Sequence, residues 1–121
     1  MNKQQNLFKS FSNAFNGLWT FLLHDRNGKI HLTATIAVII LSFALNISLT
    51  EWIAVLLCIA IVMALEMINA AIEKLCDVVH KDFHPVIKMI KDISAGAVLW
   101  ASIISAVIAC IIFIPKIIQI L

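Results

Sequence analysis

The chain has 121 residues, of which 62% are hydrophobic and 13% are charged, and its mean hydropathy is +1.01. Soluble domains are nearer half apolar and a quarter charged, so this composition excludes a soluble globular protein and indicates one integral membrane domain over residues 1–121. The net charge of +2 on nine cations is too small to indicate a nucleic-acid partner.

The first predicted element is an amphipathic helix over about residues 7–23. Its large apolar side chains recur at three- and four-residue spacing, and they are Phe8, Phe11, Phe15, Leu18, Trp19 and Leu22. A helix with one aromatic face is suited to lying in the membrane interface, although such a face can also pack on other helices. The segment lacks a charged stretch followed directly by an apolar one, so we expect no cleaved signal peptide.

Three apolar stretches follow, at about residues 30–47, 52–72 and 93–114. A bilayer core of about 30 Å requires roughly 20 apolar residues in a helix, which each stretch approaches or reaches. Barrel strands would alternate in polarity, whereas these stretches are continuously apolar. The sequence therefore predicts an all-α integral membrane protein with a surface helix and three transmembrane helices.

Positive charge is distributed unevenly between the two predicted sides of the membrane. One side carries Lys116 alone, and the other carries Lys3, Lys9, Arg26, Lys29, Lys74, Lys81, Lys88 and Lys91. The positive-inside rule then predicts a multi-pass protein of the cytoplasmic membrane. Its N-terminus and a loop over residues 73–92 would face the cytoplasm, and its C-terminus would lie outside.

Polar side chains that are costly inside a bilayer recur along the second span, at Glu66, Asn69, Glu73 and Asp77. At 100° per residue they fall within an arc of about 80°, which we call the acidic stripe. Carboxylates near the inner membrane face attract Mg²⁺, which can bridge them to nucleotide phosphates. Glu66, roughly 9 Å deeper than the predicted inner end, suits a general base acting on a lipid alcohol.

Two other interpretations of the stripe remain open on pattern alone. It could be a helix–helix seam in an oligomer, with Asn69 hydrogen-bonding across and the acids paired with Lys74 or Lys91. It could also be a proton or cation path, in which Glu66 is the proton carrier of a small ion-coupled transporter. The chain has no glycine-rich phosphate loop, so any ATP would be held by metal and side-chain cations.

The residues of the stripe and of the third helix resemble the prokaryotic diacylglycerol kinase family, which includes undecaprenol kinases. The resemblance rests on Glu66-Met-Ile-Asn69-Ala-Ala-Ile-Glu73, on Asp77, and on Lys91-Asp92-Ile-Ser-Ala95-Gly-Ala-Val. These follow the family patterns E-x-x-N-[ST]-A-I-E-x-x-x-D and K-D-x-x-x-A-A-V, apart from Ala70 and Gly96. Two weaker matches, Ala14-Phe-Asn-Gly17-Leu and Asp25-Arg-Asn27-Gly-Lys-Ile-His31, extend the likeness over residues 8–115.

The resemblance implies a homotrimer with active sites shared between neighbouring subunits, ATP with Mg²⁺ as donor, and a membrane lipid alcohol as acceptor. It implies that Glu66 is the catalytic base and that Glu66 and Asn69 bind the lipid. Mg²⁺ would be held by Asp25 and Glu73. The residues implied to contact the nucleotide are Glu73, Asp82, Phe83, His84, Lys91 and Asp92.

Three departures from the family pattern bear on the implied site. Asp25 stands where the family usually has Glu, Ala70 replaces a usual Ser or Thr, and Gly28 replaces a bulkier residue. The Lys-Ile-His segment ending at His31 and the Ile-Pro-Lys segment ending at Lys116 look more like the undecaprenol-kinase branch. The resemblance therefore implies undecaprenol in preference to diacylglycerol as the acceptor.

Overall fold

The computed structural model describes residues 3–121, so the first two residues of the predicted domain lie outside the described part. The helices are α1 (Lys3–His24), α2 (Arg26–Ala44), α3 (Leu49–Val79) and α4 (Pro85–Ile120). By length and composition, α2, α3 and α4 could each cross a membrane. The predicted all-helical class with three possible spans is confirmed, and the most extensive helix–helix contact joins α3 to α4.

The aromatic face of α1 is exposed rather than packed on the other helices of the chain. Phe8, Phe11, Phe15 and Trp19 all have exposed side chains, whereas Phe21 near the end of the helix is buried. The packing alternative is therefore not observed for these four residues within one chain. Their location in the membrane interface stays a prediction.

A sharp corner joins α1 to α2 and fixes the start of α2. Asp25 is the N-cap residue of α2, and its Oδ1 accepts from the backbone N–H groups of Asn27 at 2.9 Å and Gly28 at 3.3 Å. Gly28 is buried against α1, where a Cβ atom would overlap the backbone carbonyl of Phe21. The absence of a side chain at position 28 thus permits the close approach of the two helices.

The opposite end of the bundle is closed by a short turn and an apolar core. Asn46 has φ 49°, a left-handed conformation that Asn tolerates, and Ser48 forms a reciprocal capping box with Glu51. Glu51 also pairs with Lys116 of α4, at 3.0 Å. The buried residues of this core are Ile47, Val55, Ile112 and Phe113. On the predicted topology this is the outer end of the molecule.

The predicted loop over residues 73–92 is wrong, because both flanking helices continue through most of it. α3 runs to Val79 and α4 begins at Pro85, which leaves a turn of residues 80–84. Hydropathy locates the apolar part of a helix and not the polar turns beyond it. Those turns are stabilised by ion pairs such as Lys88 with Asp92, four residues apart, and α4 starts with a favourable Pro after its His84 cap.

We predict that Gly28→Ala destabilises the protein by about 1–3 kcal/mol, because the added methyl group forces α1 and α2 apart. A lower Tm in detergent solution would measure this. Gly96→Ala is the matched control, since a Cβ atom there meets nothing within 4 Å. In an open helical position the change from Gly to Ala is stabilising by up to about 1 kcal/mol. Equal Tm changes in the two variants would contradict the proposed close approach.

Candidate active site

Glu66 is a buried carboxylate in the middle of α3. Only 4% of the residue is exposed, and its Oε2 lies 3.6 Å from Nε2 of His31 on α2. The carboxylate therefore points into the bundle and not toward the surrounding lipid. A buried acid beside an imidazole has the protein environment that a general base requires.

Asn69, one turn further along α3, connects α3 to α4. Its Oδ1 accepts from the hydroxyl of Ser94 at 2.7 Å, and its Nδ2 donates to Oε1 of Glu73 at 3.4 Å. The residue is buried, and these bonds orient its amide toward the acidic stripe. Asn69 thus holds Glu73 and ties the stripe to α4.

Two acids near the polar ends of the helices are paired with lysines, and one of them, Asp77, belongs to the acidic stripe. Asp77 accepts from Lys91 of α4 at 2.6 Å, and Asp25 at the start of α2 lies 3.5 Å from Lys74. Within the single chain, Asn69 bonds across to α4 and one acid of the stripe, Asp77, pairs with an expected lysine, Lys91. The interpretation as a helix seam in an oligomer stays a prediction. Glu66 and Glu73 have no lysine partner among the described residues.

A polar groove of about 340 Å³ lies where the turn of residues 80–84 meets the polar ends of α3 and α4. Four of the residues that the resemblance assigns to nucleotide contact line it, namely Asp82, Phe83, His84 and Lys91. Glu73 and Asp92 do not line it, and Asp92 instead pairs with Lys88 at 2.5 Å. Phe83 is strongly exposed, which leaves its ring available for stacking on a base.

Three polar members of this groove were not predicted from the sequence. They are His80, Lys81 and Lys88, and the two lysines add positive charge beside Lys91. The His80 and His84 rings lie 5.4 Å apart, and Nδ1 of His84 accepts from the backbone N–H of Val86 at 3.1 Å. The available signal was the density of cations on both sides of the turn, which the sequence reasoning used only for orientation.

The two proposed Mg²⁺ ligands, Asp25 and Glu73, differ in which of their carboxylate oxygens already have a partner. Oδ1 of Asp25 is occupied in capping α2, so only its Oδ2, now beside Lys74, is available to a metal ion. Glu73 is half-buried and uses Oε1 toward Asn69. Among the residues described, no group of three acidic, histidine or cysteine side chains converges within one chain. Mg²⁺ commonly binds one or two carboxylates together with substrate phosphates, so this donor set suits it.

An apolar groove of about 220 Å³ runs between α2, α3 and α4. His31 lines one end of it, beside the Glu66 carboxylate, and the rest is mostly aliphatic, with Val55 and Phe113 from the core cluster at the other end. The buried acid thus lies where an apolar environment meets the polar stripe. An amphiphile with a hydroxyl group at one end fits these two environments.

The chain matches characterised proteins over nearly its whole length. Residues 12–113 match the prokaryotic diacylglycerol kinase family. The chain is 38% identical over 115 residues to undecaprenol kinase of Bacillus subtilis, covering 95% of this chain and 94% of that protein. It is 31% identical over 117 residues to diacylglycerol kinase of Synechocystis sp., covering 96% and 67%. The resemblance is confirmed: the chain belongs to the prokaryotic diacylglycerol kinase family and is a lipid kinase with membrane-spanning helices.

Proposed function

We propose that this protein transfers the γ-phosphate of ATP to the hydroxyl group of a membrane lipid alcohol, undecaprenol or diacylglycerol. The observation that carries the proposal is the buried Glu66 carboxylate. It lies at the end of the acidic stripe, next to His31 of the apolar groove. A lipid acceptor needs the first environment and a nucleotide needs the second. Family membership favours this reaction over the ion-coupled transporter.

Glu66 is the base in the proposed reaction. Its carboxylate takes the proton of the lipid hydroxyl as that oxygen bonds to the γ-phosphorus and ADP leaves. Asn69 lies one turn along the stripe and presents an amide group near the reacting atoms. Phosphoryl transfer depends mostly on positioning and on neutralising charge, so a site with few catalytic side chains suffices.

The polar groove is the proposed nucleotide end of the site. Lys91, Lys81 and Lys88 supply charge for the phosphates, and Phe83 supplies an exposed ring for the base. Asp82, His84 and Asp92 belong to the same turn and to the first turns of α4, and we assign them to nucleotide contact as well. No glycine loop is needed in this arrangement, because side-chain cations take its place.

Asp25 and Glu73 are the proposed ligands of Mg²⁺, and the bound ion neutralises phosphate charge. Each offers a carboxylate oxygen outside its structural hydrogen bond. Without the ion, Asp25 caps α2 and Glu73 accepts a hydrogen bond from Asn69. Binding of the ion by Asp25 requires that Lys74 release the carboxylate, which the high exposure of Lys74 allows.

Undecaprenol is the preferred acceptor in the proposal. The features that support it are the Lys-Ile-His and Ile-Pro-Lys segments and the likeness to the undecaprenol kinase of Bacillus subtilis over almost the full length of both chains. Diacylglycerol is the acceptor named for the relative from Synechocystis sp.. We place the site at the cytoplasmic face of the cell membrane, as the lysine distribution predicts.

A homotrimer with shared sites is part of the proposal. The apolar surfaces of the three long helices are largely exposed in a single chain, and one chain supplies few ligands for a metal–nucleotide complex. Small residues on α4 permit close helix packing: Ser102, Ser105 and Ala109 line the apolar groove within the chain, and Ala106 is exposed. Neighbouring copies would cover these surfaces and complete the site.

The test of the proposal is transfer of labelled phosphate from ATP to purified lipids in the presence of Mg²⁺. We expect undecaprenol to be labelled faster than diacylglycerol when the two are offered in parallel. Glu66→Gln keeps the shape of the side chain but removes the base, so labelling falls by a factor of about 10² or more.

Two outcomes would contradict this assignment. Labelling by Glu66→Gln at the normal rate would remove Glu66 as the base. Solute flux driven by a pH gradient, without ATP-dependent labelling, would instead favour the transporter. Size measurement in detergent should give the same oligomer for both proteins, so that lost activity is not lost assembly.

Two substitutions, each removing one charge of the ion pair between Lys91 and Asp77, test the proposed nucleotide contacts. Lys91→Gln should raise the KM for ATP about tenfold, because a charge-assisted contact with phosphate is lost. Asp77→Asn should lower that KM, since it releases Lys91 and removes a charge of the same sign as ATP. If Lys91 only holds α3 to α4, both substitutions break the same pair, and the two KM values change in the same direction.

Substitutions at Asp25 separate helix capping from metal binding. Asp25→Asn retains a good N-cap, so the Tm should be nearly unchanged, while the Mg²⁺ concentration for half-maximal rate rises about tenfold. Asp25→Ala should lower the Tm as well, by the equivalent of about 1 kcal/mol. Restoring the family residue with Asp25→Glu should lower the Mg²⁺ requirement. An unchanged Mg²⁺ requirement in all three variants would exclude Asp25 as a ligand.

A further inference from the structure

Among the described residues, His31 is the ion-pair partner of Glu66. A carboxylate with 4% exposure has lost nearly all of its water, and such a group is unfavourable unless a donor replaces that water. The Nε2 atom of His31 lies 3.6 Å from Oε2 of Glu66, a few tenths of an ångström beyond a hydrogen bond. Contacts of catalytic groups are often this long before substrate binds and shorten in the reacting complex.

The position of His31 is fixed by the corner between α1 and α2. The side chain of Asp25 caps the first turn of α2, and Gly28 lets that turn lie directly against the backbone of Phe21. His31 is on the next turn, with about a quarter of its side chain exposed. It also lines the apolar groove, so the imidazole lies between that groove and the carboxylate.

We propose that His31 is a positioning residue for the phosphoryl transfer, which donates its Nε2–H to Oε2 of Glu66 and leaves Oε1 to accept the proton of the lipid hydroxyl. The inference rests on the proposed role of Glu66 as the base. A carboxylate held through one oxygen cannot rotate freely, so its second oxygen keeps one direction toward the acceptor. The corresponding partners of metal-binding side chains commonly contribute 10- to 100-fold to activity, and we expect an effect of that size here.

The positioning role is specific to a side chain that can donate at the location of Nε2. Leu approximates the bulk of His but has no donor, whereas Gln offers an N–H group at similar reach. A residue that only fills space would tolerate Leu at least as well as Gln, because the groove beside it is apolar. The two substitutions therefore separate donation from packing.

The experiment compares kcat and the KM for undecaprenol in His31→Leu, His31→Gln and the wild-type protein, all as full chains in the same detergent. His31→Leu should lower kcat about tenfold or more, with the KM changed less than about twofold. His31→Gln should recover kcat to within about threefold of wild type. Thr33→Val is the matched control on α2, since Thr33 is exposed and bonds only to the carbonyl of Lys29 within its own helix, and its kcat should be normal.

The double variant His31→Leu/Glu66→Gln tests whether His31 acts through Glu66. If it does, the double variant is no slower than Glu66→Gln alone, because the group to be positioned is already absent. Wild-type kcat in His31→Leu, recovery by neither side chain, or a full tenfold loss on top of Glu66→Gln would each overturn the inference. A wild-type protein without kinase activity, or a fully active Glu66→Gln, would instead overturn the proposed function, so the two failures are distinguishable.

Discussion

The structure depends on one constraint: a carboxylate inside an apolar span must be enclosed by protein groups. Glu66 satisfies it by lying in the interior of the bundle with His31 opposite. An ionised group facing lipid would cost at least about 2.5 kcal/mol on insertion scales. That cost fixes the rotation of α3 about its axis, and the same rotation directs Asn69 toward Ser94 of α4 and toward Glu73.

The two ends of the helical bundle are chemically different. At one end, contacts between helices are made by ion pairs and amide hydrogen bonds, which can be exchanged for water or for a charged ligand. At the other end, Val55, Ile112 and Phe113 form an apolar core, closed by the pair of Glu51 with Lys116. In the proposed reaction one substrate comes from water and the other from the bilayer, and the two ends of α3 match these two environments.

The sequence predicts the helices and the acidic stripe well, because both follow from periodicity and from the cost of polar groups in lipid. It does not predict that His31 meets Glu66, since this depends on how closely α2 approaches α3, and no periodicity along either helix specifies that approach. The prediction of a loop over residues 73–92 is wrong because hydropathy marks only the apolar part of each helix. Both helices continue as polar turns beyond that part. The spacing of Lys88 and Asp92, a pair typical of helices, was the neglected signal.

The turn of residues 80–84 joins two helices that both extend past the apolar segment. These extensions carry Phe83 and the surrounding lysines past the level of Glu66 along α3. In the proposed reaction the donor is ATP, whose base lies far from its terminal phosphate. In that reaction, the length by which α3 and α4 extend past Glu66 sets the separation between the bound adenine and the γ-phosphate that reaches the acceptor.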